Sequence, residues 1–209
     1  MGFDKLIAPL GGQPLIVHSL AAFEACPDVG SIVLVCSAER VAEFTEYARP
    51  FVKVRVIVPG GKERVHSVLE GVAALAAEAP EFVAVHDGAR PLITPEAITA
   101  CHTAAQEAGA SVSAEPVTDT LHRADEAGTC VETVCRDRLW RMQTPQVLRR
   151  ETLHGLLEKA AAEGGAVTDE ISLLIRSGGQ AKVVENATWN FKVTYPRDLE
   201  LAEMILKQR

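Results

Sequence analysis

The chain has 209 residues, 47% of them hydrophobic and 23% charged, the composition of a globular domain long enough to bury a sizeable core. A net charge of −7 argues against a general nucleic-acid or anionic-membrane surface, while leaving room for a small basic pocket. No apolar run of about 18 residues and no signal-peptide layout occurs, so no membrane partner is expected.

In chain order, Lys5 stands ahead of an apolar run and of Gly11-Gly12. Alone, such a lysine reads as a solvated surface charge. Ser31–Ser37 and Val54–Val58 are short β-branched runs with little polar alternation, as expected for strands buried on both faces. The second run leads into Pro59-Gly60-Gly61, and then into a helical repeat across Val65–Ala79. Two readings stand for that junction. Gly60 and Gly61 let a ligand approach the backbone at a helix N-terminus, with Ser67 adding a hydroxyl. The plainer reading is a tight turn with a cap.

Phe82–His86 predicts the third strand, running into His86-Asp87-Gly88-Ala89-Arg90-Pro91. Ligands of open α/β sheets bind beyond the carboxyl ends of strands. Asp87 there is a candidate Mg²⁺ ligand, because hard cations take oxygen donors, and Arg90 could face a phosphate. Alternatively, Asp87 caps a turn and Arg90 is its ion-pair partner. Ala110–Val117 predicts a fourth strand.

Thr120–Val134 breaks the rhythm with two short polar strands around an Asp125–Gly128 turn. A two-stranded hairpin is marginal alone. It predicts an arm packed on another subunit, against the alternative of a solvated surface hairpin on a monomer. Thr144-Pro145-Gln146 and Thr168-Asp169-Glu170 both read as helix starts. Leu153, Leu156 and Leu157 mark a helix, Ala181–Glu185 a fifth strand, and Leu199–Leu206 a last helix begun after Pro196. Lys192 lies in a strand-like segment before that helix. Trp140 and Trp189 read as packing residues.

The cysteine count is odd, at 5, and no CxxC pair occurs, which predicts reduced thiols and a cytoplasmic setting. Cys130 and Cys135 lack the second pair a zinc site needs. Strands alternating with helices predict a single α/β domain over 1–209, mainly parallel, with helices on both faces. The residues alone thus yield an α/β protein with a magnesium–phosphate site and no choice of substrate.

Five ordered blocks carry a resemblance: Met1-Gly2 through Gly11-Gly12-Gln13-Pro14, Gly60 to Val68, Val85 to Pro91, Asp119-Thr120 through Arg136 to Thr144-Pro145-Gln146, and Thr168-Asp169-Glu170 through Lys192 to Leu199. Together they resemble the 2-C-methyl-D-erythritol 4-phosphate cytidylyltransferase family over essentially the whole chain. The resemblance implies a Rossmann-like nucleotidyltransferase fold that joins CMP from CTP to the methylerythritol phosphate in isoprenoid precursor synthesis. It implies that Gly60, Gly61, Ser67 and Gly88 bind CTP, and that Asp87 holds Mg²⁺. Lys5 and Lys192 would offset developing charge. Arg90, Thr120, Arg136, Thr144 and Thr168 would bind the methylerythritol phosphate. The arm, about 118–138, would make a homodimer and reach a partner's site.

The family opens with an apolar strand, central in the sheet, and a glycine-rich loop ending in Arg-Met-Gly. This chain starts at Met1-Gly2, so the resemblance implies about 20 further residues of strand and loop, with a catalytic arginine, ahead of it. A cytidylyltransferase for another polyol phosphate, such as ribitol 5-phosphate, and an inactive nucleotide-binding remnant are the alternative expectations.

Overall fold

The computed structural model describes residues 4–164 and 167–209; Met1-Gly2 of the first block lies outside them. A tight hairpin, β1 (Pro9–Leu10) and β2 (Gln13–Pro14), turns at Gly11 and Gly12, both with positive φ (58° and 83°) that a Cβ would disfavour. Then follow α1 (Leu15–Ala25), β3 (Ile32–Cys36), α2 (Val41–Ala48), β4 (Val54–Pro59), α3 (Arg64–Ala73), β5 (Phe82–Val85) and α4 (Pro95–Ala108). The second half comprises β6 (Ala110–Pro116), β7 (Leu121–Ala124), β8 (Cys130–Val134), β9 (Trp140–Arg149), α5 (Arg150–Glu163), α6 (Glu170–Arg176), β10 (Lys182–Glu185) and α7 (Pro196–Leu206).

The five predicted strands stand as β3, β4, β5, β6 and β10. Helix α3 ends at Ala73, short of its hydrophobic repeat, and the chain continues in turns to Ala79, which precedes Pro80 at φ 43°. Helix α4 follows from local rules: Thr94 accepts from the Ala97 N–H at 3.3 Å, Pro95 opens the first turn, and Gly109 ends it at φ 84°.

The sheet is mixed rather than mainly parallel. Its order is β10–β6–β9–β5, and β9 runs antiparallel to both neighbours. The ten-residue β9 contains Thr144-Pro145-Gln146, so that tripeptide is not a helix start. Pro145 is tolerated because the β6–β9 register breaks there, pairing Val112 with Gln146 and then Ala114 with Met142. Alternation along β9 then fills both faces. Val147 meets Cys101 and Ala105 of α4 on one side. Leu148 meets Leu153 and Leu157 of α5 on the other. Each such side chain, fully buried, contributes about 1.5–3 kcal/mol.

Among the described residues, β3 and β4 form a separate parallel pair, and β5 pairs only with β9. An open cleft of about 540 Å³, with polar as well as apolar lining, separates the two sheets. Val33 and Val35 of β3, Val83 and Val85 of β5, Ile16 of α1 and Val72 of α3 line it.

The expected hairpin is present as β7–β8, and nearly every residue from Thr118 to Leu139 is exposed. Trp189 is 59% exposed, edge-on to Phe191, and so is not a core residue. All five cysteines are unpaired. Among the described residues, no helix is long and apolar enough to cross a membrane.

Candidate active site

The loop after β5 is held from three sides. Its Asp87 N–H donates to the Thr144 hydroxyl at 3.0 Å, and that hydroxyl lies 3.0 Å from His86 Nδ1. Burial pushes the His86 imidazole down to about 4, so it is neutral near pH 7 and serves as a fixed hydrogen-bonding block. Ser19 of α1 donates to the carbonyls of Gly88 and Arg90 at 3.1 and 3.2 Å. A Cβ on Gly88 would stand 2.6 Å from Ile16 Cδ1, so a side chain there would require Ile16 to turn aside.

The segment carrying Lys192 is not a ladder strand, but it is clipped to this loop. Val193 N–H donates to the Ala89 carbonyl at 2.8 Å, and Arg90 donates to the Asn190 carbonyl at 2.9 Å. The buried Asn190 amide in turn donates to Gln143 and to the Thr144 carbonyl. Lys192 Nζ therefore reaches Asp87 Oδ2 at 3.1 Å, with Arg90 Nε on the same oxygen at 3.5 Å.

Lys5 belongs to this cluster electrostatically. Its pKa is lowered by burial and by the Lys192 charge, against a pull from Asp87. Burial alone would raise the Asp87 pKa, but Lys192, Arg90 and Arg64 outweigh it and hold the carboxyl below its usual range. The two predicted lysines and the predicted aspartate thus come together from positions 5, 87 and 192.

Across the cleft, after β4, Gly60 and Gly61 are folded tightly onto the first turn of α3. A Cβ on Gly60 would stand 2.7 Å from Ser67 Oγ, and one on Gly61 would overlap His66. Ser67 donates to the Glu63 carbonyl at 3.2 Å.

The remaining predicted residues divide. Arg90 is buried beside Asp87. Thr144 is 4% exposed, with its hydroxyl occupied by the Asp87 turn, so within this chain it supports that turn. Thr168 is exposed just before α6. Thr120 and Arg136 sit at the exposed base of the hairpin, where Arg136 donates to the Thr118 carbonyl rather than to anything in the Asp87 cluster.

Sequence reasoning missed His86, Asn190 and Gln146, and gave no role to Arg64 or Glu170. Glu170 is fully buried and paired with Arg64 through two contacts of 2.5 and 2.9 Å. The pair is separated by 106 positions, so no local spacing signals it.

The residues present suit one hard divalent cation with mixed ligation. Among the described residues, no three His, Cys, Asp or Glu side chains converge. Asp87 is a single partly exposed carboxylate, and Mg²⁺ commonly takes one or two carboxylates plus substrate phosphates and water.

A family model described as 2-C-methyl-D-erythritol 4-phosphate cytidylyltransferase matches residues 1–208. Proteins of that name from Halalkalibacterium halodurans and Bacillus velezensis are 37% and 40% identical to the chain. The first alignment covers 100% of this chain and 91% of the relative, the second 99% and 89%. Among solved structures, the 4-diphosphocytidyl-2C-methyl-D-erythritol synthase of Anaerococcus prevotii superposes with a TM-score of 0.88 at 26% identity, covering 98% of this chain and 93% of that one.

Proposed function

The chain belongs to the 2-C-methyl-D-erythritol 4-phosphate cytidylyltransferase family, and from that premise we infer that it transfers CMP from CTP to 2-C-methyl-D-erythritol 4-phosphate. The products are 4-diphosphocytidyl-2-C-methyl-D-erythritol and pyrophosphate. The observation that carries the residue assignment is the Asp87–Lys192 pair, with Lys5 beside it, at the carboxyl end of β5.

A phosphate oxygen of the polyol phosphate attacks the α-phosphorus of CTP, forming one P–O bond as the bond to pyrophosphate breaks. A phosphate monoester is largely dianionic near neutral pH, with a second pKa of about 6. The attacking oxygen therefore requires no general base. Lys192 and Lys5 stabilise the charge that builds on the transferring group. Asp87, with phosphate oxygens, would hold Mg²⁺, which when bound neutralises phosphate charge. Gly60, Gly61 and Ser67 receive the cytosine end, and Gly88 lets the nucleotide lie close to the backbone.

With CTP and Mg²⁺, the protein is expected to release pyrophosphate on adding methylerythritol 4-phosphate and not ribitol 5-phosphate. Release with ribitol 5-phosphate alone would overturn the substrate assignment. Release with neither, from folded protein, would overturn catalysis by this chain.

Thr120 and Arg136 serve the polyol phosphate from a second copy. The β7–β8 hairpin buries little against its own chain, and Val131 and Leu139 are exposed on it, so a homodimer gives these residues a partner surface. Mixing equal amounts of Arg136→Ala and Asp87→Ala protein after joint refolding should restore about a quarter of wild-type activity, because half the dimers carry one intact site of two. Recovery no greater than the sum of the two variants would rule out a shared site. Five unpaired cysteines suit a reducing compartment, in keeping with a cytoplasmic enzyme.

A further inference from the structure

Glu170 is the first residue of α6, and its carboxyl group has no solvent exposure. Desolvating a carboxylate is costly unless it is paired, and removing its partner is more costly still. Its partner is Arg64, the first residue of α3, which meets it as a planar fork through both terminal nitrogens.

Each residue is fixed to a different substrate loop. Arg64 opens α3 three residues after Gly61, at the point where that loop packs tightly on His66. Glu170 follows Thr168-Asp169. Asp169 caps α6 by accepting from the Ser172 N–H at 2.8 Å, and Gln146 of β9 accepts from the Ile171 N–H at 2.9 Å. Gln146 also donates to Asp169 at 3.3 Å. The start of α6 is therefore tied by hydrogen bonds to the sheet through Gln146 and to α3 through the Arg64 fork.

From this geometry we propose that Arg64 and Glu170 are a pair of positioning residues that fix the CTP loop and the Thr168 loop at one separation, so that the two substrates meet in line for transfer. Neither residue touches the reacting atoms. The proposal rests on the cytidylyltransferase reading and adds to it the residues that couple its two subsites. A misplacement of about 1 Å between reacting groups can cost about 100-fold in rate. A pair serving stability alone would lower the melting temperature and leave the Michaelis constants unmoved.

The test compares wild type, Glu170→Gln and Arg64→Lys in steady-state pyrophosphate release, varying CTP and methylerythritol 4-phosphate separately, alongside thermal melts. Glu170→Gln keeps the size of the side chain but loses its charge; Arg64→Lys keeps the charge but loses the fork. The lysine variant keeps the question open to test should the glutamine variant fail to fold. At temperatures where each variant is folded, kcat/KM is expected to fall about 10- to 100-fold, with KM rising for both substrates together. Arg64→Lys should show the smaller loss.

Unchanged Michaelis constants, with or without a lower melting temperature, would overturn the coupling role while leaving the enzyme assignment intact. A rise in KM for one substrate only would overturn it as well. Folded wild-type protein that neither binds CTP nor releases pyrophosphate would instead overturn the cytidylyltransferase reading, and the coupling role with it.

Discussion

Replacing Lys192 by alanine is expected to lower kcat by about 10²- to 10³-fold while the Michaelis constant for CTP moves by no more than about threefold. The ammonium stands 3.1 Å from Asp87 Oδ2 and is partly exposed, so it can turn toward the transferring phosphate without unfolding the loop. A group used mainly as charge builds up affects turnover more than ground-state binding.

The same substitution should change how Asp87 titrates. Burial favours the neutral acid, and Lys192 is the largest of the charges that reverse this. In the wild type the folded-state pKa lies below the unfolded value of about 3.9. Ionised Asp87 therefore contributes stability above that unfolded value, and the contribution is lost as pH falls through the lower folded value. Without Lys192 the carboxyl pKa should rise, and both the stability contribution and the acid limb of the rate profile should be lost at higher pH. Carboxyl-carbon NMR and the pH dependence of kcat/KM measure the two effects. Equal, small losses in kcat and CTP affinity, with an unmoved acid limb, would contradict the role given to Lys192.

The second large effect concerns the cleft between β3 and β5. The cleft of about 540 Å³ is open to solvent, so Val33 and Val35 of β3 and Val83 and Val85 of β5 line open space instead of packing across it. Polar groups such as Ser67, Glu81, His86 and Gln106 share the lining with these valines, so water can occupy the cleft, but it does not replace the packing contacts the valines lack. The 209-residue chain is therefore expected to melt below the range of about 45–65 °C common among mesophilic domains, with enhanced fluorescence of an apolar dye. Cooperative melting above that range without dye binding would show that the two sheets close on each other in solution.

Much of this protein was legible in the amino-acid order because its elements obey local rules. Runs such as Ile32–Cys36 and Phe82–Val85 are strands since β-branched side chains suit a pleated surface, although they are not buried on both faces as expected, because one side lines the open cleft; Pro196 opens α7 where a missing N–H costs nothing. The polar hairpin showed itself through its turn and its lack of a buried face. The loop carrying Asp87 was singled out because ligands gather beyond the carboxyl ends of strands.

What the order of residues did not determine depends on pairing between distant segments. Thr144-Pro145-Gln146 has the composition of a helix start and became a central strand, because β5 and β6 each present an edge to it and the register break absorbs the proline. Lys192 alone is an ordinary surface lysine; the Val193–Ala89 hydrogen bond and Asn190 bring it to Asp87. Arg64 and Glu170 meet across 106 positions, where no periodicity reaches. Backbone propensity and side-chain pattern act over a few residues and are written in the sequence, whereas the desolvation and pairing of charges depend on neighbours that only the assembled fold supplies.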